Sequence, residues 1–349
     1  MLEKTVLIRA DASPSIGMGH RVRCQILADE LSKKSWTVRF VCHASCRSLS
    51  NENDIIIEDE TRFLTLAATA NLVILDHYAY DSALIERLYQ YQPNLLLLDD
   101  MNDRGALFCR WLLNPVALDY RVNLASLMRK YEQTCILFTG IQYALLRRQF
   151  TVDLCDPNTS SEKNITKMSP KPREKLLVTM GGTDPLELTL PFLMTLNAMG
   201  FDGNNVVVML GSQAKKSADV IEYCQQHNID VQQDVTDVAR LMSQAKMAIS
   251  AGGSTLFELA FVGVPSLFLQ IAENQTRLLE AHRNSGWCKV YRLDYQNLDD
   301  RRKMINKVCQ QLLLDWEDDV YLSRADSVLS ALKVGLKSNS ISIQLEVAF

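Results

Sequence analysis

Apolar residues in this chain gather into short runs, separated by longer stretches where they recur every three or four positions. Val6-Leu7-Ile8, Leu72-Val73-Ile74-Leu75 and Leu95-Leu96-Leu97-Leu98 are such runs in the first half; Leu176-Leu177-Val178, Val206-Val207-Val208 and Leu267-Phe268-Leu269 follow in the second. Runs this short and continuously apolar suit strands covered on both faces, and the amphipathic stretches between them suit the covering helices. The alternation predicts βα units feeding parallel sheets. Strands are expected at 5–10, 37–42, 54–57, 72–75 and 94–98, with helices at 20–34, 61–70 and 81–91. In the second half strands are expected at 175–179, 204–209, 230–232, 247–250 and 266–269, with helices at 186–199, 214–227, 236–243, 254–262 and 273–285.

Between 153 and 172 the pattern stops: DLCDPNTSSEKNITKMSPKP is rich in Ser, Asn, Pro and Lys without apolar periodicity. The expected organisation is an N-terminal domain over 1–152, a linker over 153–172 and a C-terminal domain over 173–336. The fold class expected is α/β, two Rossmann-like domains facing across a cleft, with ligands at the C-terminal ends of the strands. Residues 298–314 and 318–336 are expected to be helical. In the tail, 337–349, Ile341, Ile343, Leu345, Val347 and Phe349 alternate with polar residues as in a strand.

The length of 349 residues agrees with two domains. Thirty-seven basic against 41 acidic residues give a net charge of −4 without a long Lys/Arg run, which argues against nucleic acid as a partner. The 9 cysteines are scattered and include no CxxC pair, so a reducing, cytoplasmic setting is expected. No segment approaches the roughly 18 consecutive apolar residues of a membrane span, and no signal-peptide pattern opens the chain. A monomer without membrane attachment is expected. Cys42-His43 with Cys46 is read as buried thiols beside a strand end, so no metal is assigned there.

Chemistry concentrates where strands give way to helices. The first connection reads ADASPSIGMGH. Asp11 lies just past the strand, Gly17 and Gly19 allow a tight turn and close approach of a ligand, and His20 opens the helix. Imidazole titrates near neutrality, which suits a general base; the alternative is a histidine capping or packing beside the helix. Arg21 and Arg23 are expected to be solvated. Asp76, His77 and Tyr78 end the fourth expected strand, with Asp76 and Tyr78 read as lining a site. Asp99 and Asp100 are expected to bind neighbouring loop amides rather than a metal.

The second half repeats this logic. Met180-Gly181-Gly182-Thr183-Asp184-Pro185 joins a strand to a helix, with helix capping and phosphate or sugar contact equally consistent. In Ser250–Glu258, SAGGSTLFE, the strand ends in Gly252-Gly253 and Ser254-Thr255 open a helix. Amides and hydroxyls at a positive helix end suit a diphosphate, and Glu258 one turn on suits the two hydroxyls of a ribose. The alternative is a capping box between Ser254 and a downstream acid. The segment from Val264-Pro265 to Asn274-Gln275 adds a neighbouring strand-to-helix loop ending in amides.

Taken together, IGMGH with its following Arg, DHY, YALLRRQF, MGGTDP, AGGSTLFE and ENQ resemble the UDP-sugar hydrolase of pseudaminic acid biosynthesis and its spore-coat polysaccharide relatives, over roughly residues 5 to 315. The resemblance implies the two-domain architecture of GT-B glycosyltransferases. It implies hydrolysis of UDP-2,4-diacetamido-2,4,6-trideoxy-β-L-altropyranose to free sugar and UDP, with inversion and without cofactor or metal. It places His20 as general base, Glu258 on the uridine ribose, Ser254 and Thr255 on the diphosphate, and Asn274 and Tyr78 toward the sugar. Two alternatives stay open: a UDP-sugar-dependent inverting glycosyltransferase, and a non-catalytic nucleotide-sugar-binding protein. Transferases of this architecture with membrane acceptors usually carry an apolar and basic patch on the N-terminal domain, and no helix of that kind is expected here.

Overall fold

The computed structural model describes residues 4–13, 16–150, 173–294 and 297–336. They fall into two compact units that divide after Leu145. The expected linker and the alternating tail lie outside the described residues.

The first unit holds a seven-stranded parallel sheet. Its strands are β1 (Lys4–Arg9), β2 (Trp36–His43), β3 (Ile55–Ile57), β4 (Leu72–Leu75), β5 (Leu95–Leu98), β6 (Trp111–Asn114) and β7 (Ile136–Thr139). The helices are α1 (Gly19–Lys33), α2 (Glu60–Ala67), α3 (Ser82–Tyr91) and α4 (Arg121–Tyr131). Continuous apolar runs are explained by the pleat, which sends alternate residues to opposite buried faces. Ile8, Ile74, Leu96 and Trp111 are register partners and pack with Leu27 and Leu31 of α1. One residue back, Leu7, Val73 and Leu95 pack with Phe63 of α2 and Leu88 of α3.

The second unit, from Leu146 onward, carries a six-stranded parallel sheet. It is built from β8 (Lys175–Thr179), β9 (Val206–Leu210), β10 (Asp230–Gln233), β11 (Ala245–Ala251), β12 (Ser266–Gln270) and β13 (Cys288–Arg292). The helices are α5 (Thr189–Ala198), α6 (Ser217–Gln226), α7 (Val238–Ser243), α8 (Thr255–Val262), α9 (Thr276–His282), α10 (Leu298–Trp316) and α11 (Asp319–Leu336). Leu146 and Phe150 are buried, and Gln149 bonds Thr236 and Ala239, so the stretch after Leu145 packs with this unit rather than the first.

Several expected helices are shorter than their patterns, among them those expected over 186–199 and 273–285. The one expected from 186 starts at Thr189, because Asp184 adopts φ 40° and turns the chain first. The one expected over 273–285 opens as a 3-10 turn, Glu273–Gln275, before α9. The thiols among the described residues are free, all but Cys135 buried.

Candidate functional site

In the first sheet the order is β3-β2-β1-β4-β5-β6-β7, so chain leaving β1 and β4 departs in opposite directions. The crevice at such a switch point is where doubly wound sheets present functional groups. His20 follows β1 and Asp76 follows β4.

Gly17 takes φ +83° and its N–H donates to the Ser13 carbonyl at 2.7 Å, a turn that a side chain would strain. Nothing lies within 4 Å of where a Cβ on Gly19 would stand. No side chain caps the amides at the start of α1, which leaves that helix end suited to an anion.

His20 is buried, and its Nδ1 lies 2.6 Å from Oδ1 of the fully buried Asp76. Burial alone would push the Asp76 carboxyl up, but Arg23 and His20 outweigh it and hold it well below the usual carboxylate range. A carboxylate only accepts, so Nδ1 carries the proton and, in the neutral ring, Nε2 keeps its lone pair. The His20 side chain does not cap the helix, and its ring is held by Asp76 with Nε2 as the acceptor. Arg23 grips both oxygens of Asp76, Nε at 2.5 Å and Nη2 at 2.6 Å, and its Nη1 reaches Asp100 at 2.8 Å. The Tyr78 hydroxyl donates to the other oxygen of Asp100, and the Tyr78 ring stands edge-on to His20 at 4.4 Å between centroids.

Several expectations are corrected here. Arg21 and Arg23 are not solvated. Arg21 is buried against Asp54, with its guanidinium over Phe40, and Arg23 is committed to two carboxylates. Asp100 bonds side chains instead of loop amides, whereas Asp99 does accept the Asn102 amide at 2.9 Å along with the Tyr120 hydroxyl. Asp11 is buried and engaged by Arg9, His77 and the His43 amide. Its place is beneath the loop, holding strand ends together.

The second unit has its switch point between β8 and β11, the order being β10-β9-β8-β11-β12-β13. After β8, Gly181 turns at φ +79° and Gly182 stays exposed. Asp184 is buried and accepts from the amides of Leu188 at 2.9 Å and Thr189 at 3.0 Å, so its role is capping α5. After β11, Gly253 takes φ +138° and Ser254 and Thr255 are half-buried. Ser254 makes no side-chain cap, which removes the capping-box alternative. Glu258 instead receives a two-pronged ion pair from Arg147, Nε to Oε1 at 2.6 Å and Nη2 to Oε2 at 2.8 Å. Sequence reasoning gave Arg147 no role; the adjacent arginines in YALLRRQF were its only signal. Asn274 sits half-buried in the turn after β12, and its neighbour Gln275 accepts the Ile271 amide beside Gly252.

Among the described residues no group of three or more His, Cys, Asp or Glu side chains is arranged to hold a metal ion, and no helix is long and apolar enough to cross a membrane.

The chain matches no protein-family model. It is similar to the spore coat polysaccharide biosynthesis protein SpsG of Bacillus subtilis, at 25% identity over 80% of this chain and 81% of that protein. It is also similar to an uncharacterized protein of Methanocaldococcus jannaschii, at 23% identity over 77% of this chain; the match spans 56% of that longer protein. These relatives bear out the resemblance drawn from the motifs. Among solved structures it resembles Acinetobacter baumannii MurG, with a TM-score of 0.60 at 12% identity over 99% of this chain and 98% of that one. The spinosyn rhamnosyltransferase SpnG gives 0.58 at 11% over 99% of both. The fold is α/β of the GT-B glycosyltransferase class.

Proposed function

We propose that the protein hydrolyses a UDP-linked 2,4-diacetamido-2,4,6-trideoxy sugar to free sugar and UDP in pseudaminic acid biosynthesis, with His20 as general base. The observation that carries this reading is the His20–Asp76 pair, which fixes the ring with Nε2 as acceptor at a glycine turn. Water gives a proton to Nε2 as its oxygen bonds the anomeric carbon; the bond from that carbon to the diphosphate breaks and its electrons leave with UDP, inverting the centre. The uncapped start of α8, with Ser254 and Thr255, receives the charge that builds on the diphosphate. Glu258, steadied by Arg147, keeps lone pairs for the ribose hydroxyls. Gly17, Gly19 and Gly182 let backbone approach the substrate, while Tyr78 and Asn274 face the sugar. His20→Ala is expected to lower kcat at least ~100-fold while UDP affinity survives. An unchanged kcat would show that His20 is not the base, and UDP binding without any turnover would identify a nucleotide-sugar-binding protein without catalysis.

One observation favours the transferase alternative. Helix α4, where no such helix was expected, exposes Val122 and Met128 beside Arg121, Arg129 and Lys130, an apolar and basic face suited to an acceptor at a membrane surface. Asp119 and Glu86 pair two of those charges. Turnover in the absence of any acceptor separates the two readings.

A further inference from the structure

Five side chains at the switch point of the first sheet close into a ring. His20 bonds Asp76, and Arg23, one turn along α1, holds both oxygens of Asp76 while its Nη1 donates to Oδ1 of Asp100 at 2.8 Å. Oδ2 of Asp100 accepts the Tyr78 hydroxyl, and the Tyr78 ring returns to His20, edge-on at 4.4 Å between centroids. Three parts of the chain contribute: α1, the segment after β4 and the segment after β5. Burial first, and then the Asp100 charge, pushes the Tyr78 hydroxyl well above the usual phenol range, so it keeps its proton and donates it to Asp100. The backbone beside Tyr78 is tied separately. Arg104 donates from Nη1 to the His77 carbonyl at 3.0 Å, and its guanidinium lies 5.8 Å from the centre of the Tyr78 ring. Arg104 thus fixes where the Tyr78 side chain starts, and Asp100 where its hydroxyl ends.

Both partners of Asp100 are donors. A carboxylate offers an acceptor to each, whereas an amide of the same size offers one and turns its own N–H groups toward the other. We infer that Asp100 is a positioning residue for the reaction: it sets the Tyr78 wall against His20 and steadies the cation that holds Asp76, so that base and sugar wall keep one spacing. Its effect on turnover rests on the hydrolase reading; its effect on the ring of side chains does not.

The test follows the carbon-bound ring protons of His20 by NMR in the full chain, assigned by their loss in His20→Ala. Tyr78→Leu gives their position without the neighbouring aromatic ring. Asp100→Asn is expected to move them toward that position, and to add little once Tyr78 is replaced by Leu. Tyr78→Phe cuts the same bond from its other end and should move them alike, which keeps the test decisive if Asp100→Asn folds poorly. In turnover without an acceptor, Asp100→Asn is expected to lower kcat at least ~10-fold and to leave UDP affinity by calorimetry within about twofold. Combined with Tyr78→Phe it should cost little more than the larger single loss, because both changes break one bond. His20 ring protons unmoved by Asp100→Asn and Tyr78→Phe, or kcat losses that multiply, would overturn the positioning role. No turnover by the unaltered chain without an acceptor would sink the hydrolase reading alone, and the ring protons would still decide for or against Asp100.

Discussion

His20 and Asp76 are 56 residues apart in sequence and 2.6 Å apart in space. Asp76→Asn keeps the size but replaces an acceptor-only group with one that also donates, so the ring loses both its tautomer and its orientation; kcat is expected to fall at least ~100-fold. The same change deprives buried Arg23 of its carboxylate, and a fall of about 3 kcal/mol in stability is expected by denaturant titration. In the second unit, Arg147→Ala leaves buried Glu258 unpaired, and UDP affinity measured by calorimetry is expected to drop at least ~10-fold. At this scale the sequence was only partly legible. Glycine turns pointed to His20, and a helix start pointed to Glu258, because both signals are local. Arg23, Asp100 and Arg147 were not assigned their roles, since an arginine in isolation reads as solvated and only the fold supplies a carboxylate from a distant segment.

The elements themselves were legible where apolar runs are continuous, as at β4 and β8, whose observed limits match the patterns. Strands β6, β7 and β13 were passed over. Strand β7 closes one edge of its sheet and leaves Ile136 and Leu137 exposed, so it lacks the signature of a strand buried on both faces. Close backbone packing was equally silent. A Cβ on Gly211 would stand 2.3 Å from the Gly182 carbonyl oxygen. Gly211→Ala must therefore displace the Gly181–Gly182 turn, costing about 1–3 kcal/mol in thermal or denaturant unfolding.

For the molecule as a whole, pH dependence follows from buried groups in both units. Burial against Phe257 and Trp287 pulls the His282 imidazole down to about 4. The unfolded chain takes up a proton at this residue near its ordinary value while the folded chain does not, so stability falls from about pH 6.5 toward 4, by about 3 kcal/mol. His282→Phe should flatten that slope in urea titrations run across the interval. Asp11 and Asp76 are held well below the ordinary carboxylate range, each against a burial effect that its ion pairs outweigh. Their contribution is present above the unfolded carboxylate value and is lost at still lower pH. The parallel-sheet architecture was legible from alternation alone, and the GT-B class from motif order. The exposed face of α4 was not, because its apolar positions are too few to mark the sequence.

The most direct test of the central claim is turnover of the UDP-linked 2,4-diacetamido-2,4,6-trideoxy sugar in oxygen-18 water, with no acceptor present, followed by mass spectrometry of both products. Attack by His20-activated water at the anomeric carbon predicts one heavy oxygen in the C1 hydroxyl of the sugar and none in UDP. Heavy oxygen in the UDP phosphate, or no turnover until an acceptor is supplied, would contradict it.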